Sequence, residues 1–370
     1  MSRPRLLPTS LLRMRDFRLL ELATGLSSVG MMGEQVVLGW LTLTLTDSPF
    51  MVGVALGARM VPHLLVGIPA GLIADRVERK RLLIATGAAQ AVAAVTLGLL
   101  VLMGAVQVWQ VLVLTFAAGC CRTVQEVSRQ SYAHDLVGGA ELLNGLALLG
   151  LAMRAGGLVG SLIAGALTAR LGSGVAYFAV AAGYLSGILS LRSVQPGRRG
   201  RSAARGSAWA HFLGFAGAFR GNRSLPGLIA LTAGAEVLGF SHQALLPSLA
   251  RDVLDVGADG LGVMTAARSV GGVLGLVFIM RLGQIRGNGT LFQAVLFLFG
   301  GSLVALGIAP GFVSVVLILV VVNAMGALAD ILSQSLIQLS VPSDLRGRAG
   351  GAWILAVGTA PLGQLLIGAL

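Results

Sequence analysis

Charge is scarce in this chain: 11% of its 370 residues are Asp, Glu, Lys or Arg, against 55% that are hydrophobic. A soluble domain carries about 25% charged residues, so this sequence cannot clothe a wetted surface. The chain is read as an integral membrane protein of the all-α class. Lysine is scarcer still. Lys80 stands alone, which excludes a phosphate-binding loop of the G-x-x-x-x-G-K-[ST] type, and no G-x-G-x-x-G or H-E-x-x-H run occurs. The two cysteines, Cys120 and Cys121, are adjacent within an apolar run and frame neither a disulfide scaffold nor a zinc site. The spans hold no Ser/His or paired-Asp constellation, so an enzyme is the least expected reading, and no cofactor or metal is expected. The net charge of +12 sits in short loops and at the ends of apolar runs. That distribution belongs to membrane topology, and nucleic acid is not an expected partner.

What the sequence has in plenty is apolar runs of bilayer length. Span 1 is expected over about 17–46, closed by Asp47-Ser-Pro49, span 2 over about 50–74 and span 3 over about 82–103. Spans 4, 5 and 6 are expected over about 108–132, 142–169 and 175–191, with turns at His134-Asp135…Glu141 and Arg170-Leu-Gly-Ser-Gly174. Spans 7 to 11 follow at about 224–249, 260–281, 290–308, 312–340 and 350–370. The basic segment 1–16 forms a tail, and residues 192–223, rich in Arg, Gly and Ser, form a linker with an interfacial helix near Trp209–Phe219. The domains are then 17–191, a six-helix half, and 224–370, a half with five helices. Fifty-three glycines point to close packing between helices.

With the N-terminus cytoplasmic, about 21 of the 27 basic residues fall on the cytoplasmic side, which orients the chain. An internal repeat accounts for the linker. Gly53-Val…Ala58-Arg59-Met-Val61 matches Gly262-Val…Ala267-Arg268-Ser-Val270, and Gln130-Ser131 matches Gln334-Ser335. Gly160-Ser-Leu-Ile-Ala-Gly165 matches Gly363-Gln-Leu-Leu-Ile-Gly368, again at an offset of about 205 residues. Parallel halves with a substrate site between them are a transporter plan. Carried forward, span 6 predicts a twelfth span near 377–395, past Leu370.

The stretch Gly71-Leu-Ile-Ala-Asp75-Arg76-Val-Glu78-Arg79-Lys80-Arg81 joins spans 2 and 3. A carboxylate here can pair with guanidinium groups one and four residues on, or face a helix N-terminus. This stretch resembles the signature loop of the major facilitator superfamily, G-x-x-x-D-R-x-x-R-[RK], at Gly71, Asp75, Arg76, Arg79 and Lys80. Leu45-Thr-Asp-Ser48-Pro49 and Arg346-Gly347-Arg348 look like the bacterial exporter branch with siderophore and multidrug exporters. The resemblance implies a twelve-span fold of two halves, of which about eleven spans are present. It also implies a latch at the loop that holds the halves together on the cytoplasmic side; the alternative is that the arginines only set topology. The second-half counterpart, Arg281-Leu-Gly283-Gln-Ile-Arg286, lacks the carboxylate.

Charges within spans cost roughly 2.5–3.5 kcal/mol on insertion scales and mark pathways or partnered sites. The candidates are Glu34, Arg59, Arg122, Glu126, Arg154, Glu236, Arg268 and Asp330. Glu34 is the proton-coupling candidate, with a static salt bridge to Arg59 or Arg122 as the alternative. Arg122 and Glu126 are spaced to pair along one helix face. Gly156…Gly160-Ser161…Ala164-Gly165 in span 5 resembles the glycine-proline motif of drug–proton antiporters, with Ser161 where proline is usual, and packs against span 8. The expected function is a secondary active transporter of the cell membrane that exports small amphipathic molecules, drug- or siderophore-like, by alternating access with protons as the coupling ion. An importer or lysolipid flippase of the same fold, or a transport-dead sensor, are the alternatives. The expected partners are a small-molecule substrate, protons and lipids, with the protein a monomer.

Overall fold

The computed structural model describes residues 9–194, 224–282, 289–341, 353 and 355–369. Most of the expected linker with its interfacial helix, and the Arg346–Arg348 segment, lie outside these residues. The first half begins with a short helix, Thr9–Arg13, and then spans 1 to 3 as Arg15–Thr46, Pro49–Arg76 and Arg79–Leu102. Each join has a local cause. Asp47 ends span 1 in the left-handed region at φ 51, Ser48 accepts the Met51 N–H at 3.4 Å, and Pro49 opens the next helix.

Spans 4 to 6 run through one continuous helical stretch, Val108–Arg192, broken at Gly138 (φ 72, ψ 170) and Gly172 (φ 84, ψ 164). Only glycine occupies that backbone region readily, so each break falls inside a turn expected from the sequence. In the second half, spans 8, 9 and 10 are Gly257–Leu282, Gly289–Gly307 and Phe312–Leu339, and span 11 ends as Ala360–Ala369. Among the described residues seven helices are long and apolar enough to cross a membrane. Span 7 departs from a plain helix. It starts as Ser224–Gly234, tightens and loosens through a π turn (Ala235–Gly239) and a 3-10 turn (Ser241–Ala244), and ends in a second π turn (Leu249–Val253). Irregular backbone at membrane depth persists where protein or a cavity satisfies it.

The repeat is visible as matched packing. Span 5 meets span 8 where a Cβ on Gly165 would lie 2.8 Å from the Ala258 carbonyl oxygen and one on Gly262 would lie 2.7 Å from that of Ser161. Span 11 meets span 2 in the same way: a Cβ on Gly368 would lie 2.9 Å from the Pro49 oxygen, and one on Gly53 would come equally hard against that of Gln364. Residues 165, 262, 258 and 161 are the repeat equivalents of 368, 53, 49 and 364. Two seams of backbone against backbone thus join the halves, and any side chain there would force the helices apart.

The apolar core differs between the two ends of the bundle. At the end carrying Asp47, one buried cluster draws on both halves, with Val36, Leu41 and Val52 packed with Leu246, Leu261 and Leu319. At the basic end the clusters divide. Phe17, Leu20, Leu83, Tyr132 and Leu191 pack within the first half, while Leu225 and Ile337 pack in the second. The described halves share a core at one end and keep separate cores at the other.

Candidate functional site

Between the halves lies a cavity of about 420 Å³. The first half supplies Arg59 from span 2, Arg122 from span 4 and Arg154 from span 5; the second supplies Glu236 from span 7, Arg268 from span 8 and Asp330 from span 10. Six of the eight charges expected to matter are thereby brought to one wall. Arg59 Nη2 donates to the Met31 carbonyl at 2.6 Å, and Arg268 Nε donates to Asn323 Oδ1 at 3.3 Å. Arg59 and Arg268, equivalent in the repeat, face the same space from opposite halves. The Arg154 guanidinium lies against Gly272, filling the volume that a side chain there would take, and feels the charge of Asp330. Glu236 sits in the first π turn of span 7, and its carboxyl group lies close to that of Asp330 on the same cavity wall.

Glu34 and Glu126 sit off the cavity wall. Glu34 is buried between spans 1 and 6, where it accepts the Tyr184 hydroxyl at 2.6 Å. Among the described residues no ion pair joins it to Arg59 or Arg122, so its structural partner is a phenol. Glu126 faces Arg129 at 3.5 Å and His63 at 3.9 Å. The expected direct Arg122–Glu126 pairing is therefore corrected: Glu126 turns to the neighbour three residues on and acts on Arg122 only at longer range, and among the described residues Arg122 Nε and Nη1 are buried without a hydrogen-bond partner.

The charged loop is described without the side chain of Asp75, the carboxylate of the expected latch. Arg79 pairs with Asp135 and donates to the Ser131 carbonyl at 3.1 Å, both at the turn between spans 4 and 5. Lys80 donates to the Arg192 carbonyl at 2.9 Å and to that of Val194, capping the end of span 6. Arg76 is exposed, the space beside Gly71 is open, and the side chain of Asp75 lies outside those described. The described contacts of the loop all fall within the first half.

The polar ties between halves lie elsewhere, at residues the sequence did not single out for this. Gln35 Nε2 donates to Gln243 Oε1 at 3.1 Å beside the cavity. At the end carrying Asp47, Arg251 reaches across to that residue at 2.5 Å, and also bonds Asp252 at 2.6 Å. The Asp252 hydrogen bond, helped by that of Asp47, raises the Arg251 pKa above its ordinary value, so this clasp keeps its cation. Both ties join near-equivalent positions of the repeat, at separations of 208 and 204 residues. Glutamines inside apolar runs were the available signal for the first.

Residues 7–370 match the family described as transmembrane secretion effector. The chain belongs to this family of the major facilitator superfamily. Members of such a family move solutes and are not enzymes. Enterobactin exporter EntS of Shigella boydii serotype 18 is 28% identical over 378 residues, covering 97% of this chain and 88% of that protein. EntS of Escherichia coli O81 matches at the same identity, 28%, and the same coverage. Among solved structures, a bacterial homologue of the lysosomal transporter Spinster, inward-facing and unoccupied, superposes with a TM-score of 0.74 at 16% identity, covering 100% of this chain and 83% of its own. Nucleoside transporter NupG gives 0.77 at 12% identity, covering 96% and 91%. These likenesses establish the major facilitator fold for a multi-pass membrane transporter, and within that fold the cavity occupies the seam between the two halves.

Proposed function

We propose that this transporter exports small amphipathic molecules across the bacterial cytoplasmic membrane by alternating access, coupled to proton entry. The observation that carries the reading is the cavity between halves whose cores merge at one end and separate at the other. With the basic loops cytoplasmic, the merged end is external and the cavity opens inward. An exporter loads its cargo from that state. Similarity to enterobactin exporters supports the outward direction and makes siderophore-like compounds the first cargo to try.

Two carboxyl sites support proton coupling. Glu236 and Asp330 lie close together, and two neighbouring carboxylates repel unless one of them carries a proton. Glu34, held by Tyr184, is the second. In the charged loop, Arg79 and Lys80 brace the first half, which leaves Asp75 as the latch residue. Neutralising Asp75 should slow switching more than it weakens substrate binding.

The test is flux in proteoliposomes with an imposed pH gradient, screened over siderophores and amphipathic drugs. Uptake into inside-out vesicles that requires an acidic lumen supports export by antiport. Movement in the reverse sense would make this an importer, and transfer of lysolipids alone would make it a flippase.

A further inference from the structure

The cavity wall carries more positive charge than the protein neutralises. Four guanidinium groups face two carboxyl groups there, and those two carboxyls lie beside each other. Arg154 has Asp330 as its counter-charge. The other three do not fare as well. Arg59 and Arg268 lean on neutral oxygens, of Met31 and Asn323. Among the described residues Arg122 Nε and Nη1 are buried with no hydrogen-bond partner, and Arg59 Nε is in the same position. The carboxyls that act on Arg122 across distance, Glu126 and Glu34, are engaged by Arg129, His63 and Tyr184. Arg59 further repels both Arg122 and Arg268. Like charges gathered in a dry wall with unused donors have one chemical complement, an anion that accepts several hydrogen bonds at once.

We propose that the cargo is an organic anion whose acidic group docks among Arg122, Arg59 and Arg268. Its apolar body lies against Met60 and Phe240, which line the same cavity; methionine adapts to varied shapes and the ring supplies a flat face. This rests on the transport reading and narrows it: a cation of the same size and shape is rejected. The anion also relieves the repulsion between Arg59 of the first half and Arg268 of the second. Loading thereby removes a force that keeps the two halves apart at the cavity.

The test uses the full chain in detergent micelles, with two dyes that share a xanthene frame and differ in charge: carboxyfluorescein, an anion, and rhodamine 123, a cation. Fluorescence anisotropy against protein-free micelles should show carboxyfluorescein bound, displaced by added salt, and rhodamine 123 unbound. Arg122→Gln should weaken carboxyfluorescein by about tenfold or more, the loss of one set of charge-assisted hydrogen bonds, while Arg122→Lys keeps most of the affinity. Size-exclusion profiles and thermal unfolding establish that each variant is folded, and Arg268→Gln is the second variant if Arg122→Gln is not. Equal binding of both dyes, preference for rhodamine 123, no binding of carboxyfluorescein, or indifference to both folded variants overturns the proposal. Anion binding without flux in proteoliposomes overturns the export reading and leaves the anion site standing.

Discussion

Arg251 ties the halves with the strongest described ion pair between them, yet its energy is small. Its side chain is 30% exposed and that of Asp47 is 84% exposed, and exposed pairs contribute about 0.2–1 kcal/mol. Arg251→Ala should therefore shift the balance between cavity states by no more than about fivefold, with the shift shrinking in high salt as the wild-type pair is screened. Labelling a cysteine at Gln243 from outside with an impermeant maleimide, in a background lacking Cys120 and Cys121, reads this directly; a change far above fivefold would mean that Arg251 does more than clasp. Glu34→Gln poses a cleaner question. An amide oxygen still accepts the Tyr184 hydroxyl, so the melting temperature should hold within about 2 °C, since a retained hydrogen bond leaves stability nearly untouched. Proton-driven flux should fall and lose its dependence on pH. Undiminished coupling would remove Glu34 from the proton path and leave the Glu236–Asp330 pair. The arginines themselves were legible as charges within apolar runs. Their partners were not, because spacing along a helix names neighbours while packing chooses among them: Glu126 takes Arg129 and His63, and Arg122 is left to the cavity.

Helix ends were legible for a physical reason. Gly138, Gly172 and the Asp47-Ser48-Pro49 turn each use backbone conformations or caps that few residues supply. Span 7 was not legible. Its π turn at Ala235–Gly239 coincides with Gly239 packed against Phe299, where a Cβ would come within 2.2 Å of the ring, and Phe240 meets that ring at a 59° tilt with centroids 5.6 Å apart. That contact comes from span 9, about sixty residues away in sequence, so no local pattern announces it. The matched seams make a prediction at this scale. Gly262→Val and Gly53→Val each place methyl groups on a carbonyl of the facing helix, and overpacking of this kind costs about 1–3 kcal/mol. The repeat predicts comparable losses at both positions, read as melting temperature of the purified protein. A large drop at one position with none at the other would mean that the seams are not mechanically equivalent.

At the scale of the whole molecule, the two-half plan was visible because the repeat survives in residues that packing constrains: the seam glycines and the paired arginines. The state of the cavity was not visible, since one sequence serves both states of a carrier and the difference lies in which core clusters merge. Locking the clasp tests that arrangement. Cysteines at Asp47 and Arg251, joined by a short bis-methanethiosulfonate linker in a background lacking Cys120 and Cys121, should hold the outer end shut and stop flux until a reductant is added. Binding of cargo from the cytoplasmic side should persist in the linked protein. Loss of binding together with flux would mean that the cavity does not open inward in this state.

The seams of glycine on carbonyl carry one more consequence. At Gly53, Gly165, Gly262 and Gly368 the helices meet backbone to backbone, while farther along the same seams side chains do cross, Arg154 against Gly272 and Gln364 toward Met60 Sδ. Each seam thus pairs a smooth contact at its glycines with a side-chain catch farther along. Any sliding of the halves where span 5 meets span 8 must carry Arg154 away from Gly272.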